Sequence, residues 1–444
     1  MQILSAAEMR QTDERTASHF GVSSLDLMHN AGTAAARFIH QQYPQAHSVL
    51  VFCGKGNNGG DGFVAARQLI AAGRDLRLLL LAEPESLSGD AATCFAEVLP
   101  LLSGDALLIA PDEHTLHGED VLASLHGADL LVDAVLGTGF TPPLRGLPAV
   151  LRELLPQSHA PIVSIDLPTG WDADSNAITN DAAFRSDSVI TFTAPKTAHV
   201  FGSLTRGPIV VAPIDSPDAA IQSQMQLHWA GSAKPITEAP RPVQGNKGSF
   251  GHVLVIGGAT GKAGAPAMAS LAALRSGAGL VTALVPEQVA ATVAGFAPEL
   301  MVNAATGEPG IPAANFTPRH LRPEFLSPWL ERISVLAVGP GLSRHPEAAA
   351  FARGLLTATS LPVVLDADGL NAFEGRTDLL RGEGRTLVLT PHPGEMARLA
   401  GCTVPVVEAD RVALARGFAT THQLTLVLKG WRTLIAHPDG RVAV

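Results

Sequence analysis

Three segments in the first half of the chain combine residue types that could do chemistry. The first is Gly54-Lys55-Gly56-Asn57-Asn58-Gly59-Gly60-Asp61-Gly62, with five glycines in nine residues. Glycines let a backbone approach a ligand and adopt positive φ, and a following helix offers free N–H groups to an anion. A plain strand-to-helix turn has no need of two Asn and an Asp among its glycines, so polar chemistry in the loop itself is expected. Gly54-x-Gly56-x-x-Gly59 also satisfies the dinucleotide fingerprint, with Glu83 placed where a ribose-binding acid could stand, a weak match by itself. The second segment is Asp133-Ala134-Val135-Leu136-Gly137-Thr138-Gly139-Phe140-Thr141-Pro142-Pro143-Leu144-Arg145-Gly146, and the third is Asp166-Leu167-Pro168-Thr169-Gly170-Trp171-Asp172-Ala173-Asp174. Each opens with an Asp that ends an apolar run, where a carboxylate needs a cation or hydrogen bonds to offset burial. Either Asp alone reads as a turn cap. Three polar, Gly-rich loops on one sheet edge point to a common site.

The second half carries its own set: Ala259-Thr260-Gly261-Lys262-Ala263-Gly264-Ala265-Pro266, Gly339-Pro340-Gly341-Leu342, Leu365-Asp366-Ala367-Asp368-Gly369-Leu370-Asn371, Thr390-Pro391-His392-Pro393-Gly394-Glu395 and Val427-Leu428-Lys429-Gly430. Each follows an apolar run. Gly261-Lys262 is not a P-loop, because Ala263 stands where Ser or Thr would bind magnesium. His392 alone reads as a loop histidine; the co-occurrence of the other motifs makes it a site candidate.

The elements that position these loops follow from periodicity. In the first half, strands are predicted at 48–53, 76–81, 106–110, 129–135, 161–165, 188–193 and 208–212, with helices at 5–19, 24–42, 62–72, 88–102, 115–126 and 144–155. Such alternation predicts a parallel sheet with helices on both faces. From Pro213 to about Gly248 the pattern lapses into Pro, Ser, Gln and Gly, as in Ala239-Pro240-Arg241-Pro242, which marks a linker. A second alternation follows, with strands at 252–257, 280–285, 333–338, 362–366, 386–390, 424–429 and 432–436 and helices at 264–277, 287–294, 346–358, 394–400 and 408–421. The expected organisation is an α/β protein of two domains, 1–215 and 245–444, joined by a linker at 216–244.

Composition narrows the function. The 444 residues are 46% apolar and 16% charged, which suits globular domains and leaves length for two. Thirty-one Lys and Arg against 41 Asp and Glu give a net charge of −10 with no basic run, so nucleic acid is not an expected partner. Cys53, Cys94 and Cys402 lie far apart with no CxxC, which argues against disulfides and structural zinc. No apolar stretch reaches membrane-span length and no signal peptide is evident, so a cytoplasmic protein without membrane association is expected.

Residues 1–215 resemble the NAD(P)HX epimerases, the N-terminal half of bifunctional nicotinamide nucleotide repair proteins, through Asn57-Asn58-Gly59-Gly60-Asp61-Gly62, Asp133 to Gly139, Asp166 to Gly170 and Ala194-Pro195-Lys196. The resemblance implies a Rossmann-like doubly wound sheet. It implies that Asn57, Asn58, Gly59, Gly60, Asp61, Gly137, Thr138, Gly139, Phe140, Thr141, Pro142 and Pro143 contact the hydrated dinucleotide, NADHX or NADPHX. It further implies that Asp166 contacts the altered ring and that Asn58, Asp133 and Thr169 give oxygens to a potassium ion, a donor set that suits a hard cation. The expected reaction inverts C6 of the hydrate, with Asp166 as acid and base. His29, in Leu27-Met28-His29-Asn30-Ala31-Gly32, departs from the Glu usual in such proteins and touches only a helix-surface contact.

Residues 245–444 resemble the ADP-dependent (S)-NAD(P)H-hydrate dehydratases, which implies a ribokinase-like fold. By that resemblance Ala265, Gly341 and His392 line the hydrate site, Asp368 organises polar contacts nearby, and Lys429, Gly430, Trp431, Arg432 and Thr433 contact ADP, with Mg2+ as its companion. The chemistry implied is phosphoryl transfer to the 6-hydroxyl followed by loss of phosphate. The family's Gly-Met-Gly-Asp loop, which would supply phosphate contacts and a base, is not found after residue 245. The sequence is therefore expected to be a fragment of a longer protein, or else one whose dehydratase half is inactive. Homo-oligomerisation is also expected. Two other functions compete: a Rossmann-type NAD-dependent oxidoreductase built on the Gly54 loop and Glu83, which leaves Asn58, Asp61, Asp133 and Thr169 unexplained together, and a non-catalytic binding module, which gives the loop carboxylates no task.

Overall fold

The computed structural model describes residues 1–231 and 240–444; residues 232–239, within the expected linker and including Ala239, lie outside the described residues. The chain divides into two compact units, Met1–Trp229 and Ala230–Val444.

In the first unit β1 (Ser48–Cys53), β2 (Asp75–Leu80), β3 (Leu107–Ile109), β4 (Leu130–Ala134), β5 (Ile162–Ile165), β6 (Ser188–Phe192) and β7 (Ile209–Ala212) form a seven-stranded sheet in the order β3-β2-β1-β4-β5-β6-β7. Its pairings are parallel. The order reverses between β1 and β4, so the loops leaving their carboxyl ends part and leave a crevice. Cys53 pairs with Ala134, and Asp133 with Ser164, which sets the three Gly-rich loops side by side. The strands read as continuous apolar runs because both faces are covered. Val49, Val51 and Cys53 join one core, while Leu50 and Phe52 join the other.

Four helices frame the crevice: α1 (Ala6–Phe20), α2 (Ser24–Gln42), α3 (Asn57–Ala71) and α4 (Gly89–Val98). A capping box starts α1, with Ser5 and Glu8 accepting from each other's backbone N–H, and Gly21 ends it in the left-handed conformation. A second box, Ser23 with Asp26, starts α2.

The fold class and the two leading helices agree with the expectations. The boundaries differ where packing overrides propensity. The helix expected at 62–72 begins at Asn57, so the glycine-rich segment is its first turn and a half. Gly59 shows why glycine is required there: a Cβ at that position would lie 1.8 Å from the Gly54 carbonyl oxygen. The helix expected at 115–126 is split into Glu113–Leu116 and Glu119–Gly127 at Gly118.

In the second unit the strand order is Met301–Ala305, Leu280–Pro286, His252–Ile256, Val335–Val338, Val363–Leu365, Leu387–Leu389, Thr425–Leu428, Leu434–Ala436 and Val442–Ala443. The pairings are parallel as far as Thr425–Leu428 and antiparallel after it. Met301–Ala305 is a strand that the periodicity does not predict: it is an edge with one partner, and Asn303 interrupts its short run of Met, Val and Ala. The helix Pro323–Leu330 was also unexpected; it starts on a proline and contains Pro328. Among the described residues, no helix is long and apolar enough to cross a membrane.

Candidate active site

A cavity of about 900 Å3 opens at the carboxyl ends of β1, β4 and β5 in the first unit. Asn57, Asn58 and Asp61 from α3, Gly137 to Phe140 from the loop after β4, and Asp166 after β5 all line it. Gly137 must be glycine, because a Cβ there would lie 2.7 Å from Asp166 Oδ2 and 3.3 Å from Asn58 Oδ1. That contact brings residues of all three loops together. Other candidates fall outside the lining. Gly59 and Gly60 pack under it, Gly60 against the Met28 sulfur, and Thr141, Pro142 and Pro143 are exposed.

Asp166 is the most tightly held group in the cavity. Its φ of 65° departs from the ordinary range for a non-glycine residue. Oδ2 accepts from the Thr138 backbone N–H at 2.7 Å and from the Thr138 hydroxyl, and Oδ1 accepts from Thr191 Oγ1 at 3.0 Å and Lys196 Nζ at 2.9 Å. These four bonds engage all the lone-pair positions of a carboxylate. Burial works against its ionisation, but the Lys196 ammonium and these hydrogen bonds outweigh burial and hold Asp166 below the ordinary carboxylate range. At neutral pH it is an anion without a proton to give.

His199 braces the same residue. Its Nδ1 accepts from the Lys196 backbone N–H at 3.0 Å, which leaves the proton on Nε2, placed 2.6 Å from the Asp166 carbonyl oxygen. Burial, with the nearby Lys196 charge, pushes its pKa down to about 4, so the ring is neutral and its tautomer set. Lys196 and His199 belong to the start of the helix Thr197–Phe201. Neither was given a role from sequence, although Lys196 stood in the Ala194-Pro195-Lys196 motif.

Asp133 and Thr169 lie fully buried beneath the lining. Asp133 accepts from Thr169 Oγ1 at 2.7 Å, Thr169 N at 2.8 Å, Ser164 Oγ at 3.2 Å and Val135 N at 3.3 Å. Burial outweighs these bonds and pushes its pKa up to about 6. The Asn58 amide is buried with neither its oxygen nor its nitrogen hydrogen-bonded. A carboxylate whose charge burial opposes, a hydroxyl already fixed against it and an orphaned amide oxygen are a donor set suited to a weakly hydrated monovalent cation.

α1 contributes a carboxylate that the motifs did not reveal. Asp13 lines the cavity, and its Oδ1 is buried without a hydrogen-bond partner. Burial and the neighbouring Asp166 raise its pKa to about 6 against the pull of Lys196. Asp61 is also raised, by burial and by the charges of Asp166 and Asp13. Three carboxyls thus share one ammonium.

His29 forms a separate contact. Its Nε2 lies 3.0 Å from Glu97 Oε2 on α4, where the Arg67 guanidinium also pairs. Together with Cys94, these side chains place ligand atoms within 4.8 Å of one another. The guanidinium on Glu97 and burial that pushes the Cys94 thiol up to about 12 make this an ion-pair network.

In the second unit, a Cβ on Gly341 would lie 2.8 Å from the Lys262 carbonyl and 3.2 Å from the Ala265 Cβ, so Ala265 and Gly341 are neighbours. Asp368 joins them through Lys262 Nζ at 2.9 Å and the Ser343 backbone N–H at 3.0 Å. His392 caps the helix Pro393–Ala400: its Nδ1 accepts from Gly394 N at 3.0 Å, and its ring is half-exposed. Lys429 reaches Asp366 at 2.9 Å, and Thr390 Oγ1 donates to the same oxygen at 2.8 Å. Arg411 donates to the carbonyls of Trp431, Leu428 and Lys429, holding the loop that runs through Gly430, Arg432 and Thr433. Asp366 and Arg411 are the site-forming residues that sequence left without a role.

Family models match both units: YjeF-related protein N-terminus over residues 24–198 and NAD(P)H-hydrate dehydratase over residues 253–444. The bifunctional NAD(P)H-hydrate repair enzyme of Moorella thermoacetica is 39% identical, covering 100% of this chain and 83% of the relative. That of Escherichia coli is 34% identical, covering 98% of this chain and 78% of the relative. Among solved structures, an ADP/ATP-dependent NAD(P)H-hydrate dehydratase from Bacillus subtilis, crystallised with ATP and Mg2+, shares 26% identity over 46% of this chain and 66% of its own, with a TM-score of 0.35. Two family models in tandem and relatives matched over nearly the whole chain show that it belongs to the bifunctional NAD(P)H-hydrate repair enzymes.

Proposed function

We propose that the first unit interconverts the R and S forms of NADHX and NADPHX and that the second dehydrates the S form with ADP as phosphoryl donor and Mg2+ as its companion. The observation that carries the first half is the buried, fully hydrogen-bonded Asp166 anion facing the cavity. Loss of the C6 hydroxyl, driven by the ring nitrogen lone pair, leaves a cationic ring. A fixed anion stabilises that cation without reorganising. This role suits Asp166 better than the expected one of acid and base, since its lone pairs are already engaged. Asn57, Asn58, Asp61 and Gly137 to Phe140 surround the dinucleotide in this reading, with Gly59, Gly60 and Thr141 to Pro143 shaping the loops that hold it. Asn58, Asp133 and Thr169 would hold K+, which supplies positive charge beside a carboxylate whose ionisation burial opposes.

In the second unit, Ala265, Gly341 and His392 face the hydrate, and Lys429 to Thr433 face the nucleotide. Family membership and the Asp366–Lys429 anchor of that loop support the assignment.

The test is to follow R and S NADHX and NADPHX chromatographically with the chain, in K+ or Na+ buffers, and separately to follow recovery of NADH absorbance with ADP and Mg2+. Interconversion faster in K+ is expected, as is ADP-dependent recovery of absorbance when the second unit is joined to the Gly-Met-Gly-Asp loop that is not found after residue 245. Oxidation of intact NADH in their place would support the Rossmann oxidoreductase.

A further inference from the structure

The epimerisation needs a proton at two moments, and Asp166 has none to offer. When the C6–O bond breaks, the departing oxygen must be protonated; when water returns, a proton must be removed. The group that handles this must face the cavity and have an oxygen free of other partners. Asp13 does both: it lines the cavity together with Asp166 and Lys196, and its Oδ1 is buried without a hydrogen-bond partner among the described residues. Its position is rigid. The Ser5–Glu8 capping box fixes the start of α1, Thr12 and Thr16 on either side of Asp13 are buried and bonded back to the helix backbone, and Arg15 Nε holds the Ala220 carbonyl at 2.9 Å. Nothing structural occupies Oδ1. An unpartnered buried acceptor on a side chain that lines a cavity is a place where entering water or ligand completes the bonding.

We propose that Asp13 is a catalytic residue of the epimerase half, the carboxyl that protonates the departing C6 hydroxyl and recovers a proton from the returning water. The proposal rests on the epimerase reading of the first unit. As the C6–O bond breaks, the Asp13 proton passes to the oxygen, which leaves as water, and the ring nitrogen lone pair forms the second bond to C6. Water then adds to C6 on the other face, the bonding pair returns to nitrogen, and the proton lost by the added water returns to the Asp13 carboxylate through cavity water. No other reactant is consumed. Asp166 and Lys196 remain an ion pair throughout. Lys196, Asp166 and Asp61, from other elements, and Glu14, on α1, are the charged groups acting on Asp13, and burial with the acidic neighbours brings it to about 6, where it can both give and take a proton near neutrality. The residue lies upstream of the segment that the family model matches, 24–198.

The experiment compares the wild-type chain with D13N and D13A in the interconversion assay, with folding checked by circular dichroism. Loss of general acid–base help should lower kcat in D13N by about 100-fold or more while KM stays within about threefold. D13N should melt no lower than wild type, because it removes a carboxylate whose ionisation burial opposes. D13A should regain rate with added formate, a rescue that a merely structural role would not show. In wild type, kcat/KM above the uncatalysed background should fall as pH rises through about 6, since the reaction starts from protonated Asp13. D13N activity near the wild-type value, or a loss confined to KM with no rescue by formate, overturns the proposal. If D13N and D13A fail to fold, the wild-type profile decides, and a flat profile from about pH 5 to 8 overturns it. A wild-type chain that does not accelerate interconversion overturns both this proposal and the epimerase reading beneath it.

Discussion

Lys196 shows at the scale of one residue how stability and chemistry are tied together in this cavity. Its side chain is 2% exposed and that of Asp166 is 10% exposed, so the pair is buried. Removing one partner leaves a buried charge uncompensated, which costs about 3–5 kcal/mol. K196M is therefore expected to lower the stability of the first unit by that order at neutral pH, read by urea denaturation. The pH dependence follows from the direction of the Asp166 shift. A carboxyl held below its unfolded value contributes stability that is present above that value, near 4, and is lost as pH falls through the folded one. K196M removes that contribution and leaves Asp166 to protonate readily, so the gap between variant and wild type should shrink as the solution is made acidic. Asp13 and Asp133, both raised to about 6, act in the opposite sense: the native state takes up their protons first, so their share of stability rises as pH falls from about 6 toward 4. A gap that stays constant with pH would show that Lys196 acts through packing alone.

At the scale of elements, the site is a register problem. Pairing of Cys53 with Ala134 and of Asp133 with Ser164 decides which loop residues meet, and Gly137 is where the β4 loop passes against Asp166 and Asn58. G137A should therefore displace the Asp166 carboxylate or the Asn58 amide, lowering epimerisation at least about 100-fold in kcat/KM, as misplaced groups of this kind do. Dehydration should be unchanged, because the second unit holds none of these contacts. Equal epimerisation in G137A and wild type would mean that the loop shifts at no cost. These loops were legible in the sequence because each is a run of glycines and polar residues after an apolar strand. Asn58, Asp133 and Asp166 stand out in them by residue type, whereas Thr169 is implied by the resemblance to the epimerases. The helix identity of Asn57 to Gly62 was not legible, since glycines argue against a helix unless close packing demands them, as the Gly54 carbonyl does at Gly59. Asp13 and Lys196 were not legible as site residues for a different reason. Each lies at a helix position where a charged side chain ordinarily faces solvent, and only the folded sheet brings α1 and the start of Thr197–Phe201 to the same cavity.

At the scale of the molecule, each of the two units carries a hydrophobic core of its own and a distinct set of charged anchors: Asp166 with Lys196 in one, Asp366 with Lys429 in the other. The second anchor is more exposed, 42% at Lys429 and 37% at Asp366, so screening by solvent leaves little for it to add to stability. Its use must be positional. Lys429 ties the segment that leads into Gly430, Trp431, Arg432 and Thr433 to the end of the strand Val363–Leu365, while Arg411 grips the same segment from the helix Arg411–His422. D366N weakens the tether without removing a buried charge. The expected outcome is a raised KM for ADP with a melting temperature close to wild type. Epimerisation should be untouched, because that chemistry uses residues of the other unit only. K196M should give the mirror image, with epimerisation and the stability of the first unit lost and the ADP-dependent reaction kept. Measuring both activities and both unfolding transitions on the two variants makes a crossed comparison that a single cooperative molecule could not satisfy. If either substitution lowered both activities together, the division of labour between the units would have to be abandoned, and the anchors would be parts of one shared mechanism.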